Sequence, residues 1–183
     1  MRVIDLSDEF SLEQYRRNPH SGTHIDSPAY LFEDGKKIEE FGFERFMTDA
    51  ALLDLTHKKP GQLIDDEDLE AAEEAAGLAL RDQESVILYT GTGVSSPSIY
   101  LSRNGAEYLE FKRVGLVGID AVSIDSSEST QMTTHRVLLA KDVLILEGLR
   151  NLHLIDSSRF RLASFPLKLD AAICPVRAVA ILE

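Results

Sequence analysis

The segment that most constrains this 183-residue chain is residues 19–28, Pro-His-Ser-Gly-Thr-His-Ile-Asp-Ser-Pro. Its two prolines and its glycine disfavour a continuous helix, so the two histidines do not share one helical face. In an extended chain the side chains alternate between two faces, and every second residue points the same way. The pattern therefore predicts that His20, His24, Asp26 and Tyr30 project to one side of an extended segment.

The donor atoms of this segment suit a metal ion. Imidazole nitrogen and carboxylate oxygen together favour a borderline divalent ion such as Zn²⁺ or Mn²⁺. Gly22 lies on the same predicted side, and its missing side chain leaves room for an ion or a substrate. The alternative is a surface turn rich in proline, glycine and serine that contains two histidines and binds nothing. Spacing alone leaves both interpretations open.

Two further residues with metal-binding side chains, His135 and Glu147, lie towards the C-terminal end of the chain. Thr133 or Thr134 can cap a helix that begins near His135, and the dipole at a helix start disfavours a protonated imidazole. Glu147 follows the apolar residues 143–146, so its carboxylate is costly to bury unless an ion or a partner satisfies it. Each residue taken singly favours the other interpretation, in which His135 is exposed in a first helical turn and Glu147 faces water at a strand end.

Strands and helices alternate along the chain, which predicts an α/β fold with a mixed β-sheet in a single domain spanning residues 1–183. No internal repeat, low-complexity stretch or Pro/Gly-rich linker divides the sequence. The predicted strands are residues 2–6, 49–55, 85–89, 115–119, 143–149, 160–167 and 176–182. The predicted helices are residues 64–80, 105–112 and 135–141, with a short helical turn at 41–46.

Several remaining features predict structure rather than chemistry. Asp120 and Asp125 are interpreted as residues that fix loops through side-chain hydrogen bonds, not as ligands. The glycine-rich residues 90–96 follow a strand but lack the lysine of a P-loop and the spacing of a dinucleotide fingerprint. Cys174 is the only cysteine, so no intramolecular disulfide can form, and its apolar surroundings predict a small core residue.

The acidic composition limits the partners of this chain. A formal net charge of −12 argues against nucleic acid or an anionic membrane surface as a partner. Residues 65–74 supply much of this charge, and we interpret them as a solvated helix face rather than a calcium loop. The first residues lack the apolar stretch of a signal peptide, and no apolar run approaches membrane-spanning length. These features predict a cytoplasmic protein.

Residues 20–28 resemble the signature His-x-Gly-Thr-His-x-Asp-x-Pro-x-His of the putative cyclase family, which includes bacterial kynurenine formamidases and isatin hydrolase. His135, followed twelve residues later by Glu147, is similar to a second pair of family ligands. The resemblance extends over most of the length in separate segments. These are Ile-Asp-Leu-Ser at residues 4–7, the strand at 86–91 that ends in Thr-Gly, Val-Gly-Ile-Asp at 117–120, Ser-Ile-Asp at 123–125 and Pro-Val-Arg-Ala at 175–178.

The resemblance implies a metal-dependent hydrolase with a swivelling β/β/α fold and one or two divalent ions. Zn²⁺ is the expected metal, and Mn²⁺ is the alternative. His20, His24 and Asp26 match the ligands of a first ion, and His135 and Glu147 match those that complete a second. In the family the ions activate water for attack on an amide or lactam carbonyl of a small-molecule substrate. Because family members associate into dimers or tetramers, a homo-oligomer is expected, and the loop at residues 90–96 is expected to border the active site.

The chain also departs from the family. Tyr30 stands where the signature has its final histidine, which shuttles protons. A phenol has an ordinary pKa near ~10, too high for a general base at neutral pH, but it can donate a hydrogen bond to an oxyanion. Residues 8–19 are shorter than the usual family segment, and the chain has no tryptophan.

These departures shape the expected function. We expect an arylformamidase-like enzyme that hydrolyses a small amide, lactam or lactone other than N-formylkynurenine, with Tyr30 as the candidate catalytic residue. The alternative is a metal-containing protein that binds a small molecule or regulates a partner and whose catalytic site has degenerated.

Overall fold

The computed structural model describes residues 1–9, 11–93, 98–126 and 129–183 as an α/β fold. The strands within these ranges are β1 (Arg2–Asp5), β2 (His24–Asp26), β3 (Met47–Asp54), β4 (Leu63–Ile64), β5 (Ser85–Tyr89), β6 (Tyr100–Leu101), β7 (Leu116–Ile119), β8 (Leu144–Glu147), β9 (Arg159–Pro166) and β10 (Ile173–Leu182). The α-helices are α1 (Leu12–Arg17), α2 (Asp66–Ala76), α3 (Arg103–Phe111) and α4 (Thr133–Leu139). Short 3₁₀ helices lie at Pro28–Tyr30, Ile38–Glu40, Phe43–Arg45 and Leu152–Leu154.

Eight of the described strands form one mixed sheet that closes on itself. The strand order is β1-β10-β2-β8-β7-β5-β3-β9, and β9 also pairs with β10, so seven strands form a barrel-like ring with β1 beside it. The pairs β3–β5, β5–β7 and β7–β8 are parallel, and the other pairs of the sheet are antiparallel. The predicted α/β fold with a mixed sheet is confirmed.

The parallel strands β5, β7 and β8 are buried on both faces, as expected for parallel strands whose two faces are both covered. Their side chains alternate between two apolar clusters. Ile87 and Leu146 pack in the cluster that the ring encloses. Val86, Leu88 and Ile145 pack in the cluster between the sheet and helices α2, α3 and α4. Each fully buried side chain of this size contributes roughly 1.5–3 kcal/mol, so both faces of the sheet stabilise the fold.

The same alternation decides where the candidate ligands on the strands point. Ile25 of β2 is fully buried in the cluster inside the ring. Its neighbours His24 and Asp26 therefore point to the other face, towards the helices. Glu147 of β8 shares that face because it lies two residues after Ile145. The candidate ligands thus lie between the sheet and the helices, not inside the ring.

Three sequence predictions need correction. The extended segment that was predicted from residue 20 to residue 30 is a strand only at His24–Asp26, and Pro28–Tyr30 is a 3₁₀ helix. Helix α2 is shorter than the predicted 64–80, because Gly77 takes a left-handed conformation (φ 63°) that ends the helix. Leu63–Ile64 instead form β4, which pairs with β6.

The third correction concerns the start of α4. Neither Thr133 nor Thr134 caps this helix: Met132 occupies the N-cap position with φ 48° and makes no capping side-chain bond. The Thr134 hydroxyl instead donates to the Leu101 carbonyl (2.7 Å). Among the described residues, no helix combines the length and apolar character needed to cross a membrane.

Candidate metal centre

All five predicted ligands converge on one place in the structure. β2 and β8 pair so that His24 lies opposite Glu147. His24 Nε2 is 3.3 Å from Glu147 Oε2, and His20 Nδ1, from the loop before β2, is 3.0 Å from His24 Nε2. Helix α4 supplies His135, whose Nε2 lies 3.3 Å from Asp26 Oδ2 and 3.4 Å from Glu147 Oε1. Residues from three separate elements and one loop therefore meet at one point.

Asp26 is the centre of this cluster. Its side chain is fully buried, and neither carboxylate oxygen has a hydrogen-bond partner among the described residues. Asp26 Oδ1 faces His20 Nδ1 at 3.6 Å and His24 Nε2 at 3.7 Å. A buried carboxylate without hydrogen bonds is costly unless a cation compensates it. The side chains present therefore fit a divalent ion.

The distances between donor atoms also fit. Two ligands of a tetrahedral Zn²⁺ lie roughly 3.3–3.4 Å apart, because each lies about 2.0–2.1 Å from the ion. Donor atoms of His20, His24, Asp26 and Glu147 all lie within 4.8 Å of one another. His135 faces the second oxygen of each carboxylate. The two carboxylates thus present one oxygen to the His20/His24 side and one to the His135 side.

Hydrogen bonds on the far side of two imidazoles orient their inner nitrogens. His24 Nδ1 donates to the Gly22 carbonyl (2.9 Å), and His135 Nδ1 donates to Asp125 Oδ2 (2.6 Å). In a neutral ring this arrangement leaves Nε2 without a proton, so that its lone pair points into the cluster and can bind a metal ion. Gly22 adopts φ 72°, so this glycine supplies the backbone turn that aims its carbonyl at His24.

Acidic groups and imidazoles in the cluster shift one another's pKa values. Burial alone would lower the pKa of His24 and His135, but the acidic groups around them prevail. Bonds to Glu147 and the charge of Asp26 raise the pKa of His24 to about 9. Asp125, Asp26 and Glu147 raise the pKa of His135 to about 12. Burial tends to raise the pKa of Glu147, yet its bonds to both imidazoles hold that pKa well below the usual range. A metal ion must therefore displace protons, and we expect tighter binding at higher pH.

Tyr30 lies beside both halves of the cluster. Its ring centroid is 4.9 Å from that of His20 and 6.0 Å from that of His135, and its hydroxyl donates to Met132 Sδ (3.6 Å). Burial and the nearby Asp26 charge raise the pKa of the Tyr30 phenol above its ordinary value. The phenol therefore stays protonated at neutral pH, which makes it a hydrogen-bond donor and not a general base.

The predicted loop-fixing role of Asp120 and Asp125 is confirmed by their hydrogen bonds. Asp120 accepts hydrogen bonds from the Thr90 and Gly91 backbone N–H groups (3.0 and 2.8 Å). This contact holds the start of the glycine-rich loop, of which residues 94–96 lie outside the described residues. Asp125 fixes the start of α4.

The sequence did not reveal two backbone contributors. The Ile124 N–H donates to Glu147 Oε1 (2.7 Å), and the Gly22 carbonyl accepts from His24. Every residue type carries a backbone carbonyl, so residue identity does not indicate which one will accept a hydrogen bond. Only the presence of a glycine at position 22 pointed to the contact with His24. Cys174 is buried and free, as predicted.

Gly148, directly after Glu147, provides a test of how tightly the cluster is packed. It adopts φ 71°, and a Cβ there would lie 2.8 Å from the Gly22 carbonyl oxygen. We expect Gly148→Ala to lower the free energy of unfolding by about 1–3 kcal/mol and to weaken metal binding, since it strains the backbone and pushes against Gly22. The matched control is Gly77→Ala, with φ 63° and nothing within 4 Å of the added Cβ.

Denaturant unfolding and metal titration of both variants check this expectation. Gly77→Ala should have a smaller effect on stability and none on metal affinity. An equal loss of stability in the two variants, with unchanged metal affinity in both, would contradict the proposed packing of Gly148 against Gly22.

Comparison with known proteins shows the family of this chain. Residues 4–126 match the sequence model of the family described as "Putative cyclase". A kynurenine formamidase of Erythrobacter litoralis (strain HTCC2594) is 32% identical over 174 residues, which span 93% of this chain and 78% of that protein. A kynurenine formamidase of Salinibacter ruber (strain DSM 13855 / M31) is 30% identical over 178 residues, which span 92% of this chain and 79% of that protein.

Solved structures agree with these matches. A potential metal-dependent hydrolase with cyclase activity superimposes with a TM-score of 0.82 at 25% identity, covering 98% of this chain and 96% of the other. Isatin hydrolase A from Labrenzia aggregata superimposes with a TM-score of 0.83 at 18% identity, covering 100% of this chain and 94% of the other. At that identity the second match concerns the fold alone.

Proposed function

The chain belongs to the putative cyclase family, and we propose that it is a metal-dependent hydrolase that cleaves a small non-peptide amide, lactam or lactone. The single observation that carries this proposal is the buried Asp26 carboxylate, which lacks a hydrogen-bond partner among the described residues and faces three imidazole nitrogens. Strongly perturbed ionisable groups, such as those of His24, His135 and Glu147, concentrate at functional sites.

Five residues would hold the metal. His20 and His24, with one oxygen each of Asp26 and Glu147, would bind a first ion. His135, with the other two oxygens, would bind a second. The mixed nitrogen and oxygen donors favour Zn²⁺, with Mn²⁺ as the alternative. A bound divalent ion would polarise the substrate carbonyl and lower the pKa of a water molecule.

Tyr30 would act on the substrate. Its protonated phenol can donate a hydrogen bond to the carbonyl oxygen, and this bond strengthens as negative charge develops on that oxygen. To do so the hydroxyl must leave Met132 Sδ, which is a weak acceptor. The side chain therefore gains a stronger partner when the substrate arrives.

The proposed substrate follows from the relatives and from the departures. The named relatives are kynurenine formamidases, which supports a formamide on an aromatic ring, and a lactam or a lactone remains within the proposed substrate class. Three departures from the family argue for a substrate other than N-formylkynurenine. They are Tyr30 in place of a histidine, the shortness of the segment at residues 8–19, and the absence of tryptophan from the sequence. The proposal includes one domain over residues 1–183, a cytoplasmic location and a homo-oligomeric state.

A panel of aryl formamides, lactams and lactones tests the proposed activity. The zinc-loaded and manganese-loaded protein is expected to hydrolyse at least one of them, and chelation followed by metal replacement is expected to abolish and restore the activity. Metal-loaded protein that hydrolyses none of the compounds but binds some of them would favour the alternative, a binding or regulatory protein. Tyr30 in place of the proton-shuttling histidine is the observation that favours this alternative.

A further inference from the structure

Within the part of the chain that the structure describes, Asp125 accepts three hydrogen bonds, all of them from the first turn of α4. Its Oδ1 accepts from the Thr134 backbone N–H (3.0 Å). Its Oδ2 accepts from the His135 backbone N–H (3.0 Å) and from His135 Nδ1 (2.6 Å). The side chain is only 9% exposed. Since Met132 provides no side-chain cap for α4, the Asp125 carboxylate both starts this helix and holds the imidazole that the helix carries.

The residue before Asp125 orients the second candidate ligand on the same side. The Ile124 backbone N–H donates to Glu147 Oε1 at 2.7 Å, and that oxygen lies 3.4 Å from His135 Nε2. Two consecutive residues of the loop between β7 and α4 therefore contact both His135 and Glu147. His24 is oriented instead by the Gly22 carbonyl in its own segment. The two halves of the cluster thus depend on different parts of the chain.

We propose that Asp125 is a positioning residue of the metal centre, which fixes the His135 ring so that its Nε2 can bind the ion between Asp26 and Glu147. This inference rests on the proposed function. Asp125 itself would touch neither ion nor substrate. Its bond to Nδ1 selects the ring orientation and the tautomer with a free Nε2, and a carboxylate acceptor also makes the imidazole a better electron donor.

Asp125→Asn tests this role because it keeps the size of the side chain. The amide NH₂ cannot accept a hydrogen bond, so the three donors of α4 are left with one oxygen. Competition with a chromophoric chelator is expected to show about 10–100-fold weaker Zn²⁺ binding to this variant than to the wild type. The matched control is Asp120→Asn, which removes a buried carboxylate of the same loop that contacts Thr90 and Gly91. Its zinc affinity is expected to stay within about twofold of the wild type.

A double-mutant cycle separates positioning from a general structural effect. In a His135→Ala background, Asp125→Asn should change zinc affinity by less than about twofold, because the residue through which Asp125 acts is gone. The melting temperature of the metal-free protein should fall on Asp125→Asn in both backgrounds, since the cap of α4 is lost in both. Equal losses of zinc affinity in the two backgrounds, or no loss in the wild-type background, would overturn the inference. Failure of the wild type to bind zinc would instead overturn the proposed function.

Discussion

Asp26→Asn is expected to abolish the stabilisation of the protein by Zn²⁺. Asp26 lies between the His20/His24 side and the His135 side, and it presents one anionic oxygen to each. Asparagine has the same shape but loses the charge and replaces one of these oxygens with an NH₂ group. A ligand at 1,000 times its Kd stabilises the native state by about 4 kcal/mol, so the wild type should show a large upward shift of its melting temperature.

The variant should show no such shift, and its hydrolysis should fall by more than about 100-fold, because residues that only orient metal ligands already cost about 10–100-fold when replaced. Asp49→Asn is the control, since Asp49 is exposed on β3 and pairs with Arg161 at 3.5 Å. It should retain both the shift and the activity. An Asp26→Asn protein that zinc still stabilises like the wild type would show that Asp26 is not a ligand.

Tyr30→Phe is expected to lower kcat by about 10²–10³-fold, the usual cost of removing one donor to a developing oxyanion. Metal content should remain unchanged, because the hydroxyl contacts Met132 and not the donor atoms of the cluster. Steady-state kinetics on the best substrate of the panel, together with metal analysis, measure both quantities. Tyr100→Phe is the matched control, since it removes a hydroxyl that donates to the Gly61 carbonyl (3.3 Å).

Tyr30→His distinguishes the two functions that Tyr30 suggests. If the phenol has its own role in hydrolysis, as proposed, the histidine variant loses activity. If the site is degenerate, restoring the family histidine increases hydrolysis strongly and Tyr30→Phe changes little. The second pattern would replace the enzyme by the binding or regulatory alternative.

The predictable part of this protein is the part that a short sequence pattern encodes. Residues 85–89 form β5 as predicted, because a short apolar run with β-branched and aromatic residues, followed by Gly91, favours a strand over a helix. The loop-fixing role of Asp125 was also predictable, since a short acidic side chain in a turn favours bonds to nearby backbone. The resemblance to a known family brought His135 and Glu147 into the candidate site, where spacing alone left them undecided.

The unpredicted part depends on contacts between distant residues. Local sequence favoured Thr133 or Thr134 as the cap of α4, but tertiary structure brings Asp125 to that position. Alternation along an extended chain correctly predicted that His20 and Tyr30 are neighbours, but the segment between them is not extended throughout. His20 and Tyr30 approach each other through a turn and a 3₁₀ helix, which place their ring centroids 4.9 Å apart. No local pattern indicates which backbone N–H will donate to Glu147.

The most direct test of the central claim is the metal content of the wild-type protein, measured by plasma mass spectrometry. We predict one or two ions of zinc or manganese per chain, which a chelator removes and added metal restores. A protein that remains metal-free after incubation with both metals would contradict the claim that His20, His24, Asp26, His135 and Glu147 form a metal centre.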